Sequence, residues 1–112
     1  MTVADLAARQ LAAYNAHDLD AFAACYHPDV KVWMDGDVDV EGIEQFRLRY
    51  AAMFARGGFG ASVPERIVHG THCVDLEHWW RLDASTATRK EGTVLVHYTE
   101  RDGLLYEVRF FD

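Results

Sequence analysis

Basic residues are in short supply. Eleven Lys and Arg stand against 18 Asp and Glu, which leaves a net charge of −7. A surface of that sign attracts neither nucleic acid nor an anionic membrane. Cysteine is nearly missing. The only two are Cys25 and Cys73, and neither sits in a CxxC or Cys/His ligand spacing. Two buried free thiols in a reducing cytoplasm is the simplest reading, with a Cys25–Cys73 disulfide as the alternative. No stretch approaches the ~18 apolar residues of a membrane span, so no membrane partner is expected. The opening MTVADLAARQ has no basic n-region or long apolar run, so no secretory leader is expected. No glycine-rich phosphate loop follows a strand, and no histidine pair has helical metal-ligand spacing. Neither a nucleotide cofactor nor a metal is therefore expected. Repeats, low-complexity runs and linkers are also lacking, which leaves a single domain over residues 1–112.

What is present is ordinary for a folded domain. Half of the residues are apolar, enough for a core without covalent staples. Residues 4–16 carry Leu6, Leu11 and Tyr14 near helical spacing, with Thr2 or Asp5 as a cap. Asp18 caps a second short helix, 19–26, which His27-Pro28-Asp29 stops. Val30 to Met34 alternates as a strand, and residues 38–41 follow as a short one. A third helix over 43–55 keeps Ile43, Phe46, Tyr50, Met53 and Phe54 on one stripe. Strands are expected over 61–69, 73–82, 92–100 and 104–111. Pro64 places the first of them at an edge or a start. Asp102-Gly103 makes the last turn, and 83–91 is a polar loop. Helices first and strand hairpins second means an α+β fold.

Several strings carry a resemblance. Tyr14-Asn15-Ala16-His17-Asp18-Leu19-Asp20, Pro28-Asp29-Val30-Lys31-Val32, Gly42-Ile43-Glu44-Gln45-Phe46 and the ending from Arg101 to Phe111 resemble the nuclear transport factor 2-like superfamily, in its SnoaL-like and ketosteroid-isomerase-like branch. The resemblance implies a cone, with three helices packed in a strongly curved antiparallel sheet, a pocket between them, and commonly a homodimer. It implies nothing firm about activity, since the superfamily includes isomerases, dehydratases, cyclases, epoxide hydrolases and non-catalytic binders. Steroid isomerase chemistry needs a carboxylate base and a Tyr/Asp oxyanion hole. Aligned on the family pattern, those three positions hold Gln10, Met34 and Val96, with Asp35 one residue late. The usual catalytic residues are thus absent, and no Asp-Arg-Asp arrangement of the epoxide hydrolases is evident.

The remaining candidates centre on Cys73 to Arg81. Period two puts Val74, Leu76, His78 and Trp80 on one face, which reads as the inner one. A turn centred near Ala87 would then set His78 beside Val96, Trp80 beside Val94 and Leu76 beside Tyr98. His78 becomes the expected proton carrier, because an imidazole among aromatics can be a general base at neutral pH. It could equally be a core histidine satisfied by a tyrosine or water. Asp35, at the expected pocket mouth, is the second catalytic candidate, a carboxylate that could orient His78 or abstract a proton itself, with a simple turn before Gly36 as the alternative. Tyr14, Met34, Tyr50, Phe54, Trp80, Val96 and Tyr98 are the expected pocket walls. Glu77, Trp79, His97, Glu107 and Arg109, together with Trp33, fall on the opposite face, which reads as a dimer surface. Three functions follow from this sequence. The first is a cofactor-independent isomerase, lyase or cyclase that acts on a small apolar carbonyl compound. The others are a non-catalytic ligand-binding module and a dimerisation module.

Overall fold

The computed structural model describes every residue from Met1 to Asp112. The elements run α1 (Val3–Asn15), α2 (Leu19–Ala23), β1 (Tyr26–Met34), β2 (Asp37–Glu41), α3 (Ile43–Arg56), β3 (Phe59–His69), β4 (His72–Leu82), β5 (Arg89–Arg101) and β6 (Leu104–Phe111). The α1 helix starts because Thr2 accepts from the Asp5 backbone while the Asp5 carboxylate accepts from the Thr2 backbone, a reciprocal cap that satisfies two orphan donors. Its buried stripe is Val3, Leu6, Ala7, Gln10 and Ala13. Asp18 caps α2 by accepting from Ala21. That helix is shorter than the sequence suggests, because Tyr26 has already joined β1.

Six strands form one curved, unclosed sheet in the order β2-β1-β6-β5-β4-β3. All neighbours are antiparallel except β1 and β6, which are parallel. An all-antiparallel sheet was the expectation, and the chain path explains the difference. The tight turn at Asp102-Gly103 forces β6 to run against β5, and the free edge of β6 then meets β1 in the same direction. Asp35 and Gly36 take φ of 50° and 89°, and Asp102 and Gly103 take 56° and 76°. Two consecutive positive φ angles are what a two-residue hairpin needs, and Asp-Gly supplies them at least strain. At the sheet's β3 edge, the register slips between Ser62 and Glu65, around Pro64. A bulge and a proline there blunt an edge that would otherwise invite pairing.

The three helices pack across the inner face. Phe22 of α2 stacks on Phe46 of α3, centroids 5.4 Å apart, and Phe54 meets Phe59 at the start of β3. Asn15 binds Ala61 as a strand would, accepting from its N–H at 2.8 Å and donating to its carbonyl at 2.9 Å. His17 adds a bond to the Phe59 carbonyl at 2.9 Å. These contacts fix the end of α1 against β3.

Candidate functional site

Between α1, α3 and the sheet lies a pocket of about 380 Å³. The α1 helix contributes Gln10 and Tyr14, and α3 contributes Tyr50 and Met53. The sheet contributes Val32 and Met34 from β1, Glu77, Trp79 and Arg81 from β4, Val94 and Tyr98 from β5, and Phe110 from β6.

The inner face of β4 is therefore the one that carries Cys73, Asp75, Glu77, Trp79 and Arg81. His78 is exposed, and it lies with Trp80 on the outer side of the sheet. This corrects the assignment of His78 and Trp80 to the pocket, and of Glu77 and Trp79 to the outside. The cause is the turn. Asp83 accepts from the Ser85 and Thr86 backbones and from the Ser85 hydroxyl, which closes a loop between Leu82 and Arg89. The strands then pair Asp75 with Val96, Glu77 with Val94 and His78 with Thr93. The expected register had put His78, three residues further along, opposite Val96. A slip by an odd number of residues turns every side chain to the other face.

Of the other expected residues, Tyr14, Met34, Asp35, Tyr50 and Tyr98 do line the pocket. Met34 is 40% exposed at its rim. Asp35 is exposed in the hairpin turn, so its backbone role is the turn itself. Phe54 and Val96 are buried in the core beside the pocket rather than walling it. Phe54 packs edge-on to Tyr14 and Tyr50. Val96 sits beneath the helices, paired with Asp75 and Phe110. Of the expected outer cluster, Glu107 and Arg109 pair at 2.9 Å, and His97 contacts His72 at 2.9 Å. Glu77 and Trp79 are the members that leave it.

The floor of the pocket is a directed hydrogen-bond chain. The Gln10 Nε2 donates to the Ala7 carbonyl at 3.1 Å and to the Tyr98 hydroxyl at 3.0 Å. A carbonyl can only accept, so this fixes which end of the amide is nitrogen. The Gln10 Oε1 then faces Tyr26, whose hydroxyl donates to it at 3.0 Å. The Tyr98 oxygen is thus used as an acceptor, and its proton has no acceptor in the protein. The Tyr14 and Tyr50 hydroxyls also have no partner. Neither is sealed from the pocket, since the one buried side-chain polar atom without a partner is the Trp33 indole nitrogen.

Glu77 stands among these phenols. It makes no hydrogen bond or ion pair with any side chain, and it is partly buried. Burial pushes its pKa up to about 7, the nearby Asp75 carboxylate adds to this, and Arg81 opposes it. Its charge in turn helps raise the pKa of Tyr14, Tyr26, Tyr50 and Tyr98, each of them raised first by burial. Tyr50 reaches about 12. A carboxyl half-ionised near neutral pH, facing free hydroxyl donors in an apolar pocket, has the properties of a general acid or base. No group of three or more His, Cys, Asp and Glu side chains is arranged to hold a metal ion.

The model of the SnoaL-like domain matches residues 7–108. The chain belongs to the SnoaL-like domain family. A crystal structure of an uncharacterised cystatin-fold protein from Novosphingobium aromaticivorans matches this SnoaL-like chain at 29% identity and a TM-score of 0.87, over 100% of this chain and 99% of that one. A putative SnoaL-like polyketide cyclase from Jannaschia is 18% identical with a TM-score of 0.82, covering 97% and 83% of the two chains. An LEH-like epoxide hydrolase from M. tuberculosis is 17% identical with a TM-score of 0.85, covering 96% and 80%. At such identities the last two share the fold. No curated protein matches the sequence. The chain has the α+β fold of the NTF2-like type, and none of its helices is long and apolar enough to cross a membrane.

Proposed function

We propose that this SnoaL-like domain is a cofactor-independent enzyme of isomerase, lyase or cyclase type. Its substrate is a small apolar carbonyl compound, and Glu77 carries the proton. The observation behind this reading is the unpaired Glu77 carboxyl, with its pKa raised to about 7, in a pocket whose tyrosine hydroxyls have protons to give. His78, on the outer side of the sheet, has no part in this proposal. The Glu77 carboxylate takes a proton from the carbon next to the carbonyl. The C–H bonding pair becomes the C=C π bond, the C=O π pair moves to the oxygen, and the resulting enolate oxygen accepts a hydrogen bond from Tyr98. Glu77, now protonated, returns the proton at a second carbon or to a leaving group. Gln10 and Tyr26 support the reaction by holding the Tyr98 proton towards the pocket. Asp35 is proposed as a rim residue and hairpin former rather than a proton carrier.

The test is a panel of enolisable ketones and keto esters, assayed on the wild type, Glu77→Gln and His78→Ala at equal folded fraction. Glu77→Gln should lose 10²- to 10⁴-fold in kcat, the usual contribution of a positioned acid–base group. His78→Ala should stay within twofold. Binding without turnover by the wild type would instead favour the non-catalytic ligand-binding reading.

We also infer a homodimer through the outer sheet face, where Leu95 pairs with Phe111 and the two are 44% and 50% exposed. Two buried free thiols are in keeping with a reducing compartment such as the cytoplasm. Sedimentation of Leu95→Asp checks the dimer, since an unchanged assembly state would remove this face from it.

A further inference from the structure

The chain has nine arginines. Six of them pair with carboxylates: Arg47 with Asp20, Arg49 with Asp39, Arg66 with Asp75, Arg89 with Glu91, Arg101 with Asp102 and Arg109 with Glu107. Arg9, against the Met1 sulfur, Arg56 and Arg81 do not. In a chain where 18 acids face 11 bases, an arginine without an acid is the unusual case. Two of the three line the Glu77 pocket.

We infer that the pocket takes a carboxylate-bearing ligand, an aromatic or polyene keto acid, whose acid group is held at the mouth by Arg81 with help from Arg56. The inference rests on the pocket being a small-molecule site and adds the substrate class. Arg81 is prepared for this role. Its guanidinium lies over the Trp79 ring, 5.1 Å from the centroid. Stacking holds the plane and leaves the N–H edge free, which is the edge that grips a carboxylate with two parallel hydrogen bonds. The charge of Arg81 reaches inward far enough to oppose the raised pKa values of Glu77, Tyr14 and Tyr50.

The geometry gives the ligand a direction. Glu77 and Arg81 lie on the same face of β4, four residues and therefore about 13 Å apart along the strand. An acid group at Arg81 leaves a flat apolar body to run inward past Trp79, with its carbonyl near Glu77 and Tyr98. The rim is polarised to match. Asp35 and Asp112 line it on the β1 and β6 side, together with Asp39, which Arg49 already engages. Sheet order separates that side from β4, so a bound acid is steered away from it and towards Arg56 and Arg81.

The probes are 6-acetyl-2-naphthoate and 6-acetyl-2-naphthamide, alike in shape and different in charge. Their binding is read by quenching of tryptophan fluorescence and by calorimetry. The wild type should bind the acid at least tenfold more tightly than the amide, and added salt should narrow the gap. Arg81→Gln should abolish most of the preference, weakening acid binding far more than amide binding, while Arg81→Lys should restore only part of it. Arg56→Gln should reduce the preference several-fold, and Arg9→Gln, away from the pocket, should not change it. Equal binding of the two probes by the wild type overturns the inference while leaving the pocket reading intact. So does a preference that survives in the Arg56→Gln, Arg81→Gln double variant. If neither probe binds the wild type, the pocket reading fails and the inference with it.

Discussion

Asp75 and Glu77 are two residues apart on the inner face of β4, and their carboxylates are in opposite circumstances. Asp75 is 1% exposed. It accepts two bonds from Arg66, at 2.6 and 2.9 Å, and one from the Cys73 thiol at 3.3 Å. Glu77 is nearer the mouth and has no partner. A buried charge that is fully paired belongs to the architecture, because its removal leaves its partner stranded. An ionisable group with its lone pairs free, at the meeting point of a strand and two helices, is available for a ligand. Residue type does not separate the two roles; only the presence or absence of partners does.

The sharpest way to break the comparison is to strip the partner from Asp75. Arg66→Ala should destabilise the fold by about 3 kcal/mol, the scale for leaving one member of a buried ion pair uncompensated, as read by urea denaturation at pH 7. Glu77→Gln should behave differently. The folded-state pKa of Glu77 is about 7, raised above the unfolded carboxyl near 4.3. The folded state therefore binds more protons between those values. Wild-type stability should fall as pH rises through that window, by about 2 kcal/mol once partial exposure is allowed for. Glu77→Gln should lack that fall and be the more stable protein at pH 8. A flat wild-type profile would place Glu77 with ordinary surface carboxyls. Gly92→Ala is expected to cost about 1 kcal/mol, because an added Cβ would meet the Trp79 ring and overpacking is destabilising. Tilting of that ring would also shift Arg81, so probe binding should drop with it. Smallest of all, His78→Ala should change stability by less than about 0.5 kcal/mol, as exposed positions usually do, and thermal melting suffices to check it.

The α+β order, the Thr2 and Asp18 caps, the edge position of Pro64 and the Asp-Gly turns were all readable from the sequence. Each depends on contacts within a few residues. Tyr14 and Tyr50 fall on the apolar stripes of α1 and α3, and Met34 and Tyr98 on alternating faces of β1 and β5, so their inward direction follows from local periodicity. A single turn decides which face of β4 is the inner one. Both faces of β4 carry apolar groups, Val74 and Leu76 on one and Cys73 and Trp79 on the other, so hydrophobic alternation does not choose between them. The choice is made by the Asp83-Ser85-Thr86 hydrogen bonds, which set the loop length and with it the register. Asp83 followed by Ser85 and Thr86 is a turn signal that would have shortened the loop and placed Glu77 inside. Gln10 stood out as a departure from the isomerase pattern, but its role as a bridge between Tyr26 and Tyr98 depends on residues 16 and 88 positions away in sequence. No local pattern carries that. In the sequence a histidine such as His78 stands out over Glu77, because a free imidazole titrates near neutral pH without help, whereas a glutamate does so only in an environment the register creates.

That environment can be measured directly. A carbon-13 NMR titration of the glutamate side-chain carboxyls, with Glu77 assigned by its disappearance in Glu77→Gln, reports the ionisation of this one group in the folded protein. The account predicts a midpoint near 7, moving lower when 6-acetyl-2-naphthamide is replaced by a ligand that donates a hydrogen bond to Glu77. A midpoint near 4.3, the value of an unperturbed glutamate, would contradict it.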